Sequence, residues 1–184
     1  MKLIFLYGPP AVGKLTIAKR IEKLANSEGN NYPEFKVFHN QMTVDLITPI
    51  IPWGEKVGFR LNGEYRMLMY EACAELDINL ITTMVYDHPS DATWVKKMID
   101  RLSKLNVDIH FIQLICDDEI LMERVTEESR QAHLKITNPE TLVEVMKKWD
   151  LMTKMDFVDS LTFDTGELLS IEVANKILSS ITFD

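Results

Sequence analysis

Lys14 and Thr16 are the residues of this chain with the plainest chemistry. They sit in Gly8-Pro9-Pro10-Ala11-Val12-Gly13-Lys14-Leu15-Thr16, a glycine, four residues, then Gly-Lys. Consecutive backbone N–H groups of such a loop turn inward and form an anion nest. The N-terminus of the helix that follows adds its partial positive charge. Gly8 and Gly13 allow the tight turn and the close approach of backbone to phosphate, and Lys14 reaches the β- and γ-phosphates. The stretch Gly8–Thr16 is therefore predicted to hold a nucleoside triphosphate, ATP, with Mg²⁺. The bare pattern recurs by chance, so the flanks carry the weight. Leu3-Ile4-Phe5-Leu6-Tyr7 reads as an apolar strand before it. Leu15, Ile17, Ala18, Ile21, Leu24 and Ala25 recur behind it at helical spacing. The competing reading is an ordinary strand–turn–helix with a surface lysine. One position departs from the usual pattern: Leu15 stands where a Ser or Thr magnesium ligand is expected, and the hydroxyl comes one residue later.

Other polar residues gather at the ends of apolar runs. Asp87 follows Ile81-Thr82-Thr83-Met84-Val85-Tyr86 and suits a carboxylate that organises magnesium or takes a proton from an acceptor hydroxyl. A turn aspartate before Pro89 is the alternative. Val37-Phe38-His39-Asn40-Gln41 ends another run, with Asp45 beyond it. A histidine at position 39 suits a base near neutral pH. Asn40 suits a hydroxyl-orienting amide, and Asp45 is a second candidate magnesium ligand. A hydrogen-bonded strand-end histidine and a surface aspartate are the plainer readings.

Arg124 and Arg130 are candidates for stabilising charge on a moving phosphoryl group, with Lys135 beyond them. Their spacing does not share one helix face, so a break near 127–130 is required. Glu127 and Glu128 are alternative partners for them. Arg60 and Arg66 match an anionic acceptor, since guanidinium grips carboxylate or phosphate in a bidentate way.

The chain of 184 residues suits one domain with a substantial core. With 46% apolar and 26% charged residues, its composition is that of a globular protein. A formal net charge of −8 argues against nucleic acid or an anionic membrane as partner, but not against a local basic pocket. Cys73 and Cys116 have no metal-like or redox-like spacing and read as buried free thiols of a reducing cytoplasm. No signal peptide or bilayer-spanning segment is legible. Oligomeric state is left open by the sequence.

Strand and helix patterns alternate, which predicts an α/β fold with a parallel sheet covered on both faces. Strands are expected at 2–7, 35–39, 79–86, 109–115 and 161–163. Helices are expected at 13–27, 42–47, 60–76, from the cap Ser90 or Asp91 to 105, from Asp117 or Asp118 past Arg124, 138–157 and 171–181. The 60–76 helix carries Leu61, Tyr65, Leu68, Met69 and Ala72 on its apolar face. The helical methionines, Met67, Met69, Met146, Met152 and Met155 among them, read as core filling. The loop 50–54, with Trp53, reads either as an acceptor cover or as packed core. In such a sheet the site lies beyond the carboxyl ends of the strands.

The loop, length and element order together resemble the nucleoside-monophosphate-kinase-like branch of P-loop proteins, similar to shikimate kinase, adenylate kinase and chloramphenicol phosphotransferase. The resemblance spans the whole chain in architecture but is firm as a motif only at Gly8–Thr16. It implies a three-layer fold with a five-stranded parallel sheet in the order 2-3-1-4-5, and transfer of the γ-phosphoryl of ATP to a small acceptor. It implies that Thr16 contacts the α-phosphate, that a lid lies at about 124–138, and that a loop at Asp164 or Thr165 lies by the adenine, for which a plain turn with Gly166 is the favoured alternative. Those families carry an acidic residue near the end of strand two, where this chain has His39-Asn40. That departure sets it apart from shikimate kinase. A nucleotide-binding regulatory or toxin-like module, or a plain nucleoside triphosphatase, is the alternative function.

Overall fold

The computed structural model describes residues 1–130 and 135–183. Five strands form one sheet: β1 (Lys2–Tyr7), β2 (Phe35–Phe38), β3 (Asn79–Met84), β4 (Asp108–Ile115) and β5 (Ser160–Asp164). All neighbours are parallel and the order is β2-β3-β1-β4-β5, as expected. β1 pairs Leu3 with Leu80 on one side and with Ile109 on the other. It is central, so both faces of Leu3–Tyr7 are buried. That is why the run is continuously apolar rather than alternating.

The helices are α1 (Lys14–Ala25), α2 (Asn40–Ile47), α3 (Lys56–Glu75), α4 (Ala92–Ser103), α5 (Asp118–Val125), α6 (Pro139–Lys148) and α7 (Ser170–Ser180), with a 3-10 turn at Glu128–Arg130. α1 and α7 pack on one face of the sheet, through Ile17, Ile21, Val173 and Ile177. α3 and α4 cover the other, through Met67, Tyr70, Val95 and Met98. Each such side chain, fully buried, contributes about 1.5–3 kcal/mol of transfer free energy. Arg101 of α4 grips Glu71 of α3 with two bonds of 2.6 Å, which fixes how these helices lie against each other. Cys73 and Cys116 are buried free thiols. Among the described residues, no helix is long and apolar enough to cross a membrane.

Two expectations are corrected. The helix expected over 138–157 stops at Lys148. Asn138 caps its start by accepting from the Thr141 N–H at 3.1 Å. Trp149 is then extended, and Asp150 forms an antiparallel bridge with His88. Further on, the Met152 carbonyl accepts from Gln113 and the Met155 N–H donates to the Tyr7 hydroxyl. These tertiary bonds replace the helical ones, and helical patterning cannot foresee them. The second correction concerns α3. Its apolar stripe faces solvent, Leu68 being 60% exposed. The buried face is Arg66, Met67, Tyr70 and Cys73. Likewise Met67 and Met155 are core, whereas Met69 and Met152 are exposed.

Candidate phosphate and acceptor site

Above the carboxyl ends of the strands lies a cavity of about 1400 Å³. Its floor is Pro10–Ile17, the loop and first turn between β1 and α1. Gly8 takes φ +143° and Gly13 takes φ +94°, with Ala11 at φ 66° between them. These left-handed positions turn successive N–H groups the same way. Gly8 and Pro9 lie outside the cavity wall, but their carbonyls accept from Lys14 Nζ at 2.7 and 2.6 Å. Leu15 and Thr16 line the cavity from the first turn of α1.

Positive charge is concentrated over this floor. Burial first, and then the Arg130 charge, push Lys14 down to about 7. Burial also lowers Arg130. Lys135 is lowered by burial, then by Arg130 and Lys19, while Asp45 opposes the shift. Arg130 thus depresses both Lys14 and Lys135, and such crowding of like charge in a cavity is what an anion would relieve. Arg130 is held by its Nε–H to the Ile136 carbonyl at 3.0 Å. The helix break expected near 127–130 is present, since α5 ends at Val125 before the 3-10 turn. Of the segment 124–138 read as a lid, residues 131–134 lie outside the described residues.

Arg124 points elsewhere. It donates to the Thr165 hydroxyl at 3.0 Å and to the Thr165 carbonyl at 2.7 Å. The Thr165 N–H in turn donates to the Ile115 carbonyl, so the ends of β4 and β5 and helix α5 meet at this side chain. Arg124 and Thr165 line the cavity at this end, whereas Asp164 does not and instead accepts from the Gly166 N–H.

The opposite wall comes from α2, α3 and the segment after β3. His39 and Asn40 open α2, and both line the cavity. Asn40 Oδ1 accepts from Arg66 at 2.7 Å and from Asn62 at 3.3 Å. Arg66 is only 3% exposed. Its other bonds go to Tyr70, Thr82 and the Thr83 carbonyl. The rings of Tyr70 and Trp94 lie 5.9 and 5.6 Å from its guanidinium carbon. Arg60 also reaches the cavity rim, but it is exposed and paired with Glu64 at 3.2 Å. Trp53 lines the cavity and packs edge-on against Phe59, ring centroids 5.1 Å apart.

Asp87 and Asp91 stand on this wall. The Asp87 N–H donates to Asp91 Oδ2 at 2.9 Å, and Asp87 Oδ1 accepts from the Asp150 N–H at 3.0 Å. Burial raises the Asp91 carboxyl, its bond from the Asp87 N–H lowers it, the Asp87 charge adds to the rise and Arg66 pulls it back. Asp45 is not brought to the cavity wall.

Several wall residues escape sequence reasoning. Asn62, Trp94, Thr83 and the lining role of Asp91 carry no local motif. Gly63 is the nearest to a signal. A Cβ there would stand 2.6 Å from Trp94 Nε1, so this glycine lets the indole rest on α3 beside Arg66. Gly63→Ala is expected to displace Trp94, costing about 1–3 kcal/mol from overpacking. Nucleotide affinity, across the cavity, is expected to stay within about twofold. Melting curves and titration with a nucleotide analogue measure the two effects.

No family model and no curated sequence relative matches the chain. Solved structures do. A putative kinase from Chloroflexus aurantiacus is 15% identical with a TM-score of 0.67, covering 98% of each chain. The Mycobacterium tuberculosis APS kinase in complex with AMPPNP and APS is 11% identical with a TM-score of 0.65, covering 97% of this chain and 95% of that one. The shikimate kinase of Acinetobacter baumannii in complex with shikimate is 18% identical with a TM-score of 0.56, covering 97% and 91%. At these identities the likeness speaks for architecture alone: the chain shares with them an α/β, P-loop-like fold with five parallel strands in the order β2-β3-β1-β4-β5.

Proposed function

We propose that this chain is an ATP-dependent phosphotransferase, moving the γ-phosphoryl group to a small hydroxyl-bearing acceptor. One observation carries the reading. A single cavity has a glycine loop ringed by Lys14, Arg130 and Lys135 on one side and a polar, aromatic wall on the other. In the proposed reaction the triphosphate lies in the loop, and Lys14 Nζ exchanges carbonyl oxygens for phosphate oxygens. The transferred group spreads negative charge over its equatorial oxygens, so positioning and positive charge supply most of the catalysis. Lys14, Arg130 and Lys135 provide that charge. Arg124 braces the Thr165 turn at the nucleobase end.

Magnesium needs only one or two protein carboxylates, the rest of its shell being phosphate and water. The residues fit it: Asp87 stands at the wall, and Thr16 offers a hydroxyl in the first turn of α1. When bound, the ion would be held by Asp87 and would supply positive charge against the negative charge of the group in transfer. Asp45 is left to balance Lys135. Asp91 orients the acceptor hydroxyl, with His39 and Asn40 beside it, and the Asp87 carboxylate takes its proton. Trp53 helps exclude water. Segment 124–138 serves as the lid of one P-loop domain. A cytoplasmic setting follows from ATP use and two free thiols.

The test is ADP release from magnesium-ATP with and without pooled hydroxyl and phosphate compounds. Acceptor-dependent release supports the reading. Release that ignores every pool would identify a triphosphatase, and tight binding without release a nucleotide-sensing module.

The lowered Lys14 pKa gives a pH signature. In the empty site the amine titrates at about 7. Bound triphosphate favours the charged form and raises that pKa. Below 7 the amine is already charged and affinity is insensitive to this group. Above 7 binding must take up a proton, so affinity falls toward a limit of about tenfold per pH unit. Calorimetry at pH 8 in buffers of different ionisation enthalpy is expected to read uptake of about one proton. No uptake would mean that Lys14 stays charged in the empty site.

A further inference from the structure

Resting on that reading, we infer that the acceptor half of the cavity takes an uncharged, hydroxyl-rich ring rather than an anion.

The Arg66 guanidinium has five N–H bonds. The Nε–H goes to the Tyr70 hydroxyl at 3.2 Å. The two on Nη2 are shared among the Tyr70 hydroxyl, the Thr82 hydroxyl and the Thr83 carbonyl at 2.8–3.1 Å. One on Nη1 goes to Asn40 Oδ1 at 2.7 Å. A single N–H is left. Carboxylate and phosphate are gripped by two parallel N–H groups, and Arg66 cannot present them without giving up Asn40. The buried charge is already met by these neutral oxygens and by the rings of Tyr70 and Trp94.

The rest of the wall is unsuited to an anion. Arg60 is 63% exposed and bonded to Glu64. Asp87 and Asp91 line the same wall and would repel a negative group. Lys14, Arg130 and Lys135 stand over the loop, where the triphosphate engages them.

What the wall offers matches a polyhydroxylated ring. Each hydroxyl both donates and accepts. Asp91 uses one oxygen on the Asp87 N–H and keeps the other to accept from a hydroxyl. Asn62 bonds Thr43 through its amide oxygen and Asn40 through one N–H, keeping one N–H to donate. Trp94, seated on Gly63, supplies an apolar surface for the C–H face of a ring.

The experiment compares matched pairs: neutral hexoses, hexitols and cyclitols against the aldonates, uronates and sugar phosphates of the same skeletons. ADP release is read with magnesium-ATP and the native protein. A neutral member is expected to exceed its anionic counterpart by about a hundredfold in kcat/KM, the scale set by an unpaired buried charge. Asp91→Asn keeps an acceptor for the Asp87 N–H and removes the negative charge. It is expected to narrow the neutral-to-anion ratio by about tenfold, the scale of one charged hydrogen bond. A purely structural role for Asp91 would move both classes together and leave the ratio unchanged, overturning its part in selection. Turnover of the anionic set alone overturns the inference and leaves the phosphotransferase standing. Silence on both sets, with nucleotide binding intact, overturns the phosphotransferase and the inference with it.

Discussion

Lys14→Ala is expected to lower phosphoryl-transfer kcat/KM by roughly a hundred- to a thousandfold, the cost of removing one preorganised donor from developing negative charge. The loop N–H groups and Arg130 remain, so residual binding of the nucleotide is expected. The protein should not lose stability in proportion. In the empty structure Lys14 is a desolvated cation beside Arg130, depressed to about 7, and its bonds run only to the Gly8 and Pro9 carbonyls. Removing it also removes that repulsion. The expected pattern is thus collapsed transfer with a melting temperature within about 3 °C of the native protein, equivalent to about 1 kcal/mol for a chain of this length. ADP release and thermal melts measure it. Full activity in the variant would refute the site. A large melting shift would make Lys14 a structural residue.

Gly8→Ala is expected to be the most damaging single methyl in the loop. Two effects coincide there. The backbone sits at φ +143°, where an L side chain is strained. A Cβ would also lie 2.2 Å from the Leu114 carbonyl oxygen. That oxygen belongs to β4, whose Leu114 is held in register with Phe163 of β5, so it cannot simply step aside. The sheet must open at the β1–β4 seam or the loop must lift. A loss of about 4–5 kcal/mol or more is expected, with a melting drop of about 10 °C or more, or no soluble protein. Gly13→Ala is the comparison. At φ +94° it carries backbone strain, but its nearest neighbour is Ile17 Cδ1 at 4.0 Å. About 1–2 kcal/mol is expected there. Equal melting shifts for the two variants would mean that the collision with β4 is relieved cheaply.

The contrast between these glycines shows where reading from sequence stops. Both are legible as loop glycines from the Gly-Lys pattern. Only the structure distinguishes one pressed on a neighbouring strand from one in open space. Helix α3 teaches the same point from its surface. Leu61, Tyr65, Leu68, Met69 and Ala72 form a helical apolar stripe, yet the helix buries the turn of its surface that carries Arg66 and Tyr70. Periodicity reports that a helix is amphipathic. It does not report that a guanidinium can be buried when β3, Tyr70 and Asn40 together supply its acceptors. Helix α6 fails for a related reason, since the bonds of 149–155 are made to His88, Gln113 and Tyr7, all distant in sequence.

The sequence by itself determined the alternation of strands and helices, the parallel sheet and the glycine loop between β1 and α1. These rest on local causes: continuous apolar runs, helical spacing, and glycines needed at particular backbone angles. The tertiary structure alone decided which charges share a cavity. It set Arg130 beside both Lys14 and Lys135, and turned Arg124 to Thr165. It boxed Arg66 among neutral oxygens and brought Asp91, Asn62 and Trp94 to one wall. Each of those outcomes depends on groups far apart in the chain, whose mutual distance is fixed by sheet order and helix packing and leaves no trace in local spacing.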